Sequence, residues 1–74
     1  MALGKTIIAA LGGCAGEQYL VPAGTVVANN TGASGGWYVL EESDVRDCGV
    51  NDHDAAHYHL WVKDFVVEVE GESA

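Results

Sequence analysis

His53, His57 and His59, with Cys48 and the aspartates Asp47, Asp52 and Asp54 around them, bring every side-chain type that a transition metal favours into one short segment. His57 and His59 stand two apart, so on a β-strand both rings would leave the same face and two ligands would be prearranged. A third or fourth could come from His53, Asp52 or Cys48 on the preceding loop. The spacing fits no recognised zinc signature, however, and histidines alternating with Tyr58 and Leu60 are also what the wet face of an ordinary strand carries. The expectation is therefore no metal and no cofactor, with His53, His57, His59 and Cys48 as the candidates should one be held.

Other reactive arrangements are weaker. Gly4-Lys5-Thr6 has the end of a phosphate-binding loop but no room before it for the first glycine of that motif. Ser34 and Ser43 lack a nucleophile elbow, and neither Cys14 nor Cys48 sits in a signature motif. Glu41 and Glu42 would point to opposite faces of a strand, which makes a poor acid and base pair. Asn29-Asn30-Thr31 fits a glycosylation acceptor, a reading with meaning only in a eukaryotic secretory setting. No enzyme activity is expected.

The elements that must position these residues read as mostly β. Along HYHLWVKDFVVEVE, residues 57–70, apolar and polar side chains alternate with a period of two, broken once at Lys63-Asp64, which predicts two half-buried strands. Residues 18–28, rich in β-branched and aromatic types and interrupted at Pro22, predict a bent or edge strand. The glycine-rich stretch 29–36 predicts a loop, residues 37–42 a strand, and residues 43–56 a polar surface excursion. Leu3, Ile7, Ala10, Leu11 and Cys14 share one helical face ahead of Gly12-Gly13, yet fit an extended arm equally. The domain plan is thus residues 1–16 as an apolar arm or short helix, 17–70 as a small β-barrel, and 71–74 as a polar tail.

AGTVVAN from Ala23, GGWYVL from Gly35 and HLWVKDFVVEV from His59 together resemble the SH3-like barrel, especially its bacterial form. There a glycine-led strand, a Gly-Trp-Tyr strand and a Trp-Val strand followed by a short helical turn recur. The resemblance covers roughly residues 23–69. It implies a small antiparallel barrel of about five strands, and a binding module rather than an enzyme, since this fold carries many unrelated functions.

Length and charge narrow the function classes. A chain of 74 residues is one domain near the lower limit of independent stability, and partner subunits are a usual supplement at this size. Three basic residues against eleven acidic ones give a net charge of −8, too little positive charge to neutralise a run of phosphates or to hold an anionic membrane. Lys5 through Cys14 looks like a bacterial lipoprotein signal, but its apolar core is shorter than the ~7 to 15 residues such a segment needs, so lipidation is not expected. No run approaches the ~20 apolar residues of a membrane span. Free thiols at Cys14 and Cys48 are favoured over a disulfide.

Aromatic residues concentrate at protein interfaces, and apolar side chains exceed what so small a barrel can hide. Leu3, Ile7, Ile8, Leu11, Trp37, Tyr38, Tyr58 and Trp61 are the expected interface residues. The expected function is a non-enzymatic structural protein, oligomeric or held in a larger assembly. A capsid decoration or other virion accessory protein of a bacteriophage fits, located in the virion or the host cytoplasm. The alternative is an acidic inhibitor that blocks a basic groove of a host protein, with Glu41, Glu42, Asp44, Asp47, Asp52 and Asp54 standing in for phosphates.

Overall fold

Among the described residues, seven strands pair into one antiparallel sheet: β1 (Ala2–Thr6), β2 (Ala10–Cys14), β3 (Glu17–Val21), β4 (Val26–Asn29), β5 (Trp37–Val39), β6 (Trp61–Val62) and β7 (Val67–Val69). The structure, a computed structural model, describes residues 2–29 and 36–69. The mainly β, antiparallel architecture is as the alternation requires. Two short helices, α1 (Glu42–Asp47) and α2 (Asp52–His57), fill the excursion between β5 and β6, where a polar surface segment was expected. A 3-10 turn at Asp64–Val66 forms the break between the last two strands. The polar tail 71–74 and most of the glycine-rich loop lie outside the described residues.

Strand order across the sheet is β3-β2-β6-β5-β4-β1-β7. This order forces the sheet to curl. β1 and β2 are four strand steps apart, about 19 Å if flat at ~4.8 Å per step. Only residues 7–9 join them, and the path from Thr6 to Ala10 reaches at most about 14 Å. Residues 22–25 span the same gap between β3 and β4. The sheet is curled but not closed into a barrel, because among the described residues β3 and β7 are paired on one side only.

A polar clasp holds the curl where the two connections meet. The Thr6 hydroxyl donates to the Pro22 carbonyl at 2.8 Å and accepts from the Thr25 amide at 3.0 Å, while the Thr25 hydroxyl donates to the same carbonyl at 2.7 Å. Backbone bonds from Thr6 to Thr25 (3.0 Å) and from Gly24 to Thr6 (2.7 Å) complete it. Both threonines are buried, so each hydroxyl satisfies groups that water cannot reach.

The expected arm or helix over residues 1–16 is instead two strands inside the sheet. Its inward positions are Gly4, Thr6, Gly12 and Cys14, and its outward ones include Leu3, Lys5, Leu11 and Gly13. Glycine is required at two of them. A Cβ on Gly4 would stand 2.7 Å from the Glu68 carbonyl oxygen, and one on Gly12 would stand 2.7 Å from that of Trp61. Both contacts are with backbone of a neighbouring strand, which cannot swing aside.

Inside the curl, Cys14, Val21, Val27, Trp37, Val39, Leu60, Val62 and Val66 form the core. The helices and the link between them close it by adding Val45, Ala55 and Val50. α2 starts on Asn51, whose side-chain oxygen caps the Asp54 amide at 2.8 Å, and Asp52 and Asp54 favour its N-terminus electrostatically. Gly49, at φ 106°, supplies the left-handed turn between the helices.

Candidate functional site

The outer face of the sheet carries exposed apolar and aromatic side chains on three neighbouring strands, Leu20 on β3, Leu11 on β2 and Trp61 on β6. β2 and β3 form a hairpin whose two-residue turn, Ala15 (φ 52°) and Gly16 (φ 84°), has the positive φ values of a type I′ turn and matches the strand twist. That register sets Leu11 directly opposite Leu20, and Gly13 opposite Gln18 on one side and Trp61 on the other. Trp61 in turn faces Tyr38, and Tyr38 faces Ala28. A groove floored by Gly13 results, walled by Leu11, Gln18, Trp61 and Lys63.

Aromatic contacts fix the orientation of Trp61. The His59 ring stacks on Tyr38 at 4.2 Å, and Trp61 meets Tyr38 edge-on at 5.5 Å and His59 edge-on at 5.4 Å. The flank of the indole lies so close over Gly36 that a Cβ there would be 2.7 Å from it. Such edge-to-face pairs contribute about 0.5 to 1.5 kcal/mol beyond their burial. Trp61 is thus held rigidly, yet 44% of its surface remains open to solvent.

The imidazoles are not arranged as a metal centre. Residues 52–57 are helical, so His57 and His59 do not share a strand face; His57 instead pairs with His53 one turn away, their rings 4.5 Å apart. The His57 Nδ1 donates to the His53 carbonyl at 2.9 Å, His59 is engaged with Tyr38, and Cys48 caps the far end of α1. Among the described residues no set of three His, Cys, Asp or Glu is placed to hold a metal ion. A second concavity, of about 230 Å³ between the helices and β5, includes Glu42, His57 and His59. It falls below the ~300 to 1,000 Å³ usual for small-molecule sites, and the Glu42 carboxylate is paired with Arg46 at 2.6 Å.

Compared with family models, curated proteins and solved structures, this chain matches none. Its surface must therefore be read from its own residues. Of the expected interface residues, Leu3, Ile7, Ile8, Leu11, Tyr58 and Trp61 are exposed. Trp37 and Tyr38 are not: Trp37 points into the core, and Tyr38 lies beneath His59 and Trp61. Leu20 lies outside that expectation although the alternation in EQYLV already puts it on the face opposite Tyr19 and Val21. Phe65 and Val69, which the alternation with Glu68 puts on the buried face beside Val67, are instead strongly exposed, because the 3-10 turn shifts the phase and buries Val66. No helix among the described residues is long and apolar enough to cross a membrane.

Cys14 and Cys48 are both free thiols. Burial pushes the Cys14 thiol above its ordinary range, with Asp54 adding to the effect; burial, then Asp44 and Asp47, does the same to Cys48. The folded state keeps these protons at a pH where the unfolded chain releases them. Stability is thus fully present below the ordinary thiol pKa and falls as pH rises past it. Urea midpoints should drop between pH 7 and about pH 9.5, and a Cys14→Ala, Cys48→Ala double variant should flatten that decline; an equal decline in the variant would refute the assignment.

Proposed function

We propose that this chain is a non-enzymatic structural protein that docks on other polypeptide subunits through the outer face of its sheet, as a bacteriophage-type capsid decoration or other virion accessory protein would. The observation that carries this reading is the adjacency of Leu11, Leu20 and Trp61 on the solvent side of β2, β3 and β6, around a floor of glycine. Monomeric proteins rarely leave large apolar side chains side by side in water unless something covers them. A rigid tryptophan beside an open slot is also the usual form of a binding hot spot. Ile7, Ile8 and Phe65 add apolar surface near the β1–β2 bend, where the Ile7 amide bonds to the Val66 carbonyl at 2.8 Å. The sheet curl, and the 3-10 turn after the Trp61-Val62 strand, support the SH3-like reading of the fold and with it a binding role.

Co-sedimentation with purified capsids of the source virus tests the proposal. Leu11→Glu should lower the bound fraction about tenfold or more, since it puts a charge into a desolvated contact. Thermal stability should hardly change, because Leu11 is exposed in the isolated chain. Binding unaffected by Leu11→Glu would sink the assignment of this face.

The alternative, an acidic inhibitor of a host protein, has one observation in its favour. Glu41, Glu42, Asp44, Asp47, Asp52 and Asp54 all lie on or beside α1 and α2, with Arg46 as the one basic residue among them. Arg46 is held by Glu42 at 2.6 Å and reaches Asp52 at 3.8 Å. Binding of this kind would weaken steeply with added salt and would be indifferent to Leu11→Glu.

A further inference from the structure

The free edge of β3 has the geometry to pair with itself. A two-residue hairpin turn closes on a hydrogen-bonded residue pair, here Cys14 and Glu17, and pairs then alternate along the ladder. Gly12 with Tyr19 and Ala10 with Val21 are therefore bonded pairs, whereas Gly13 with Gln18 and Leu11 with Leu20 are not. The same alternation turns the Gly13 backbone toward Trp61 in β6, and it agrees with the observed bond from the Val39 amide to the Leu60 carbonyl at 3.0 Å. On β3 it leaves the N–H and C=O groups of Gln18 and Leu20 directed outward, at an edge with no partner strand among the described residues.

Edges of this kind are normally protected by charged side chains, an internal proline, a bulge or very short length. β3 carries one charge, Glu17 beside the hairpin turn, and none of the other devices. It is a regular five-residue strand whose outward-facing side chains are Gln18 and Leu20, and Leu20 is 59% exposed. Proline follows only at position 22, after the last strand residue.

We infer that β3 is a self-association edge, at which a second copy of this chain adds its own β3 antiparallel across a twofold axis through Tyr19. Gln18 and Leu20 flank Tyr19 symmetrically. With Tyr19 opposite Tyr19 of the second copy, Gln18 of each chain faces Leu20 of the other, and their outward amides and carbonyls make four hydrogen bonds in register. That register opposes no like charges, because Glu17 meets the second copy's Val21. It also joins the two outer faces, so that Lys63, Leu11 and Leu20 of one chain continue into Gln18, Gly13 and Trp61 of the other. The hairpin turn at one end and Pro22 at the other limit the ladder to residues 17–21, and a twofold contact of this kind closes on itself. This inference is independent of the proposed docking on a larger assembly, since it concerns the chain alone.

Each copy carries a charge of −8, so added salt should strengthen the dimer by screening repulsion, the opposite sign to binding a basic groove. Analytical ultracentrifugation of the full chain from about 10 µM to about 1 mM should show a monomer–dimer equilibrium. Amide exchange followed by NMR should show protection at Gln18 and Leu20 that rises with concentration, while Tyr19 is protected throughout by its bond to β2. Gln18→Pro removes one outward donor per chain and none from the β2–β3 ladder, and should weaken the dimer about tenfold or more. If that variant unfolds, Leu20→Lys, which places a charge on the edge, should do the same.

A monomer at every concentration would overturn the inference. So would a dimer whose Gln18 and Leu20 amides exchange freely, protection of those amides that does not change with concentration, or growth beyond the dimer, which would indicate β3 pairing with another edge. None of these outcomes bears on capsid co-sedimentation or its dependence on Leu11.

Discussion

Leu60→Ala is expected to remove about 3 to 4 kcal/mol of stability, the upper part of the range for deleting a fully buried leucine. Leu60 has no solvent exposure and is among the largest fully buried side chains. Its Cδ1 lies 3.2 Å from where a Cβ on Gly12 would be, and its carbonyl accepts the Val39 amide. It therefore joins β2, β5 and β6 at the centre of the curl. A domain of this length has a total stability of roughly 4 to 11 kcal/mol, so the variant should unfold at a much lower urea concentration or be largely unfolded without denaturant. Urea titration at constant m-value measures the effect. A loss below about 1 kcal/mol would mean that Leu60 is not in a packed core.

Thr6→Val should cost about 2 kcal/mol although the side chain keeps its shape. The loss is polar: the Thr25 amide, buried and bonded to the Thr6 hydroxyl at 3.0 Å, would have no acceptor there. The Pro22 carbonyl would keep the Thr25 hydroxyl at 2.7 Å. Thr25→Val removes only that second donor and should cost less, about 1 kcal/mol, while Thr6→Ser should restore most of the stability. Equal losses for Thr6→Val and Thr25→Val would show that the clasp does not work through the Thr25 amide.

How far the fold was legible depended on which residues occupied the inward positions. β6, the 3-10 turn and β7 were readable as strand, break and strand because Val62 stands between Trp61 and Lys63, Glu68 stands between Val67 and Val69, and the pause at Lys63-Asp64 is where the chain turns. The turn nevertheless shifts the phase, burying Val66 and exposing Phe65 and Val69, which the period puts inside. β1 and β2 were not readable, because their inward positions include Gly4 and Gly12. A glycine contributes nothing to a hydrophobic period, and the outward Leu3 and Leu11 then suggest a helical face. The segment 52–57 misled in the other direction. Asn51 followed by Asp52 and Asp54 is a helix start, but His57, Tyr58, His59 and Leu60 read as a strand beginning too early. The metal candidates depended on that strand; once α2 forms, His57 pairs with His53 one turn away, His59 stacks on Tyr38 and Cys48 ends α1. Trp61 was recognisable as a surface aromatic, whereas the burial of Tyr38 depends on His59 stacking over it, a contact no sequence period reports.

β1 is hydrogen-bonded on one side to β4 and on the other to β7. Gly4 stands between Val27 and Val69, and Lys5 between Val26 and Glu68. During synthesis, residues 2–6 gain their first neighbour when residues 26–29 emerge, but the second arrives only with residues 67–69. Until then an exposed ribbon is left waiting, available to mispair with other nascent chains. Partners so distant in sequence slow the search for the native arrangement, so this domain should mature after residue 69 has left the ribosome rather than while it is being made.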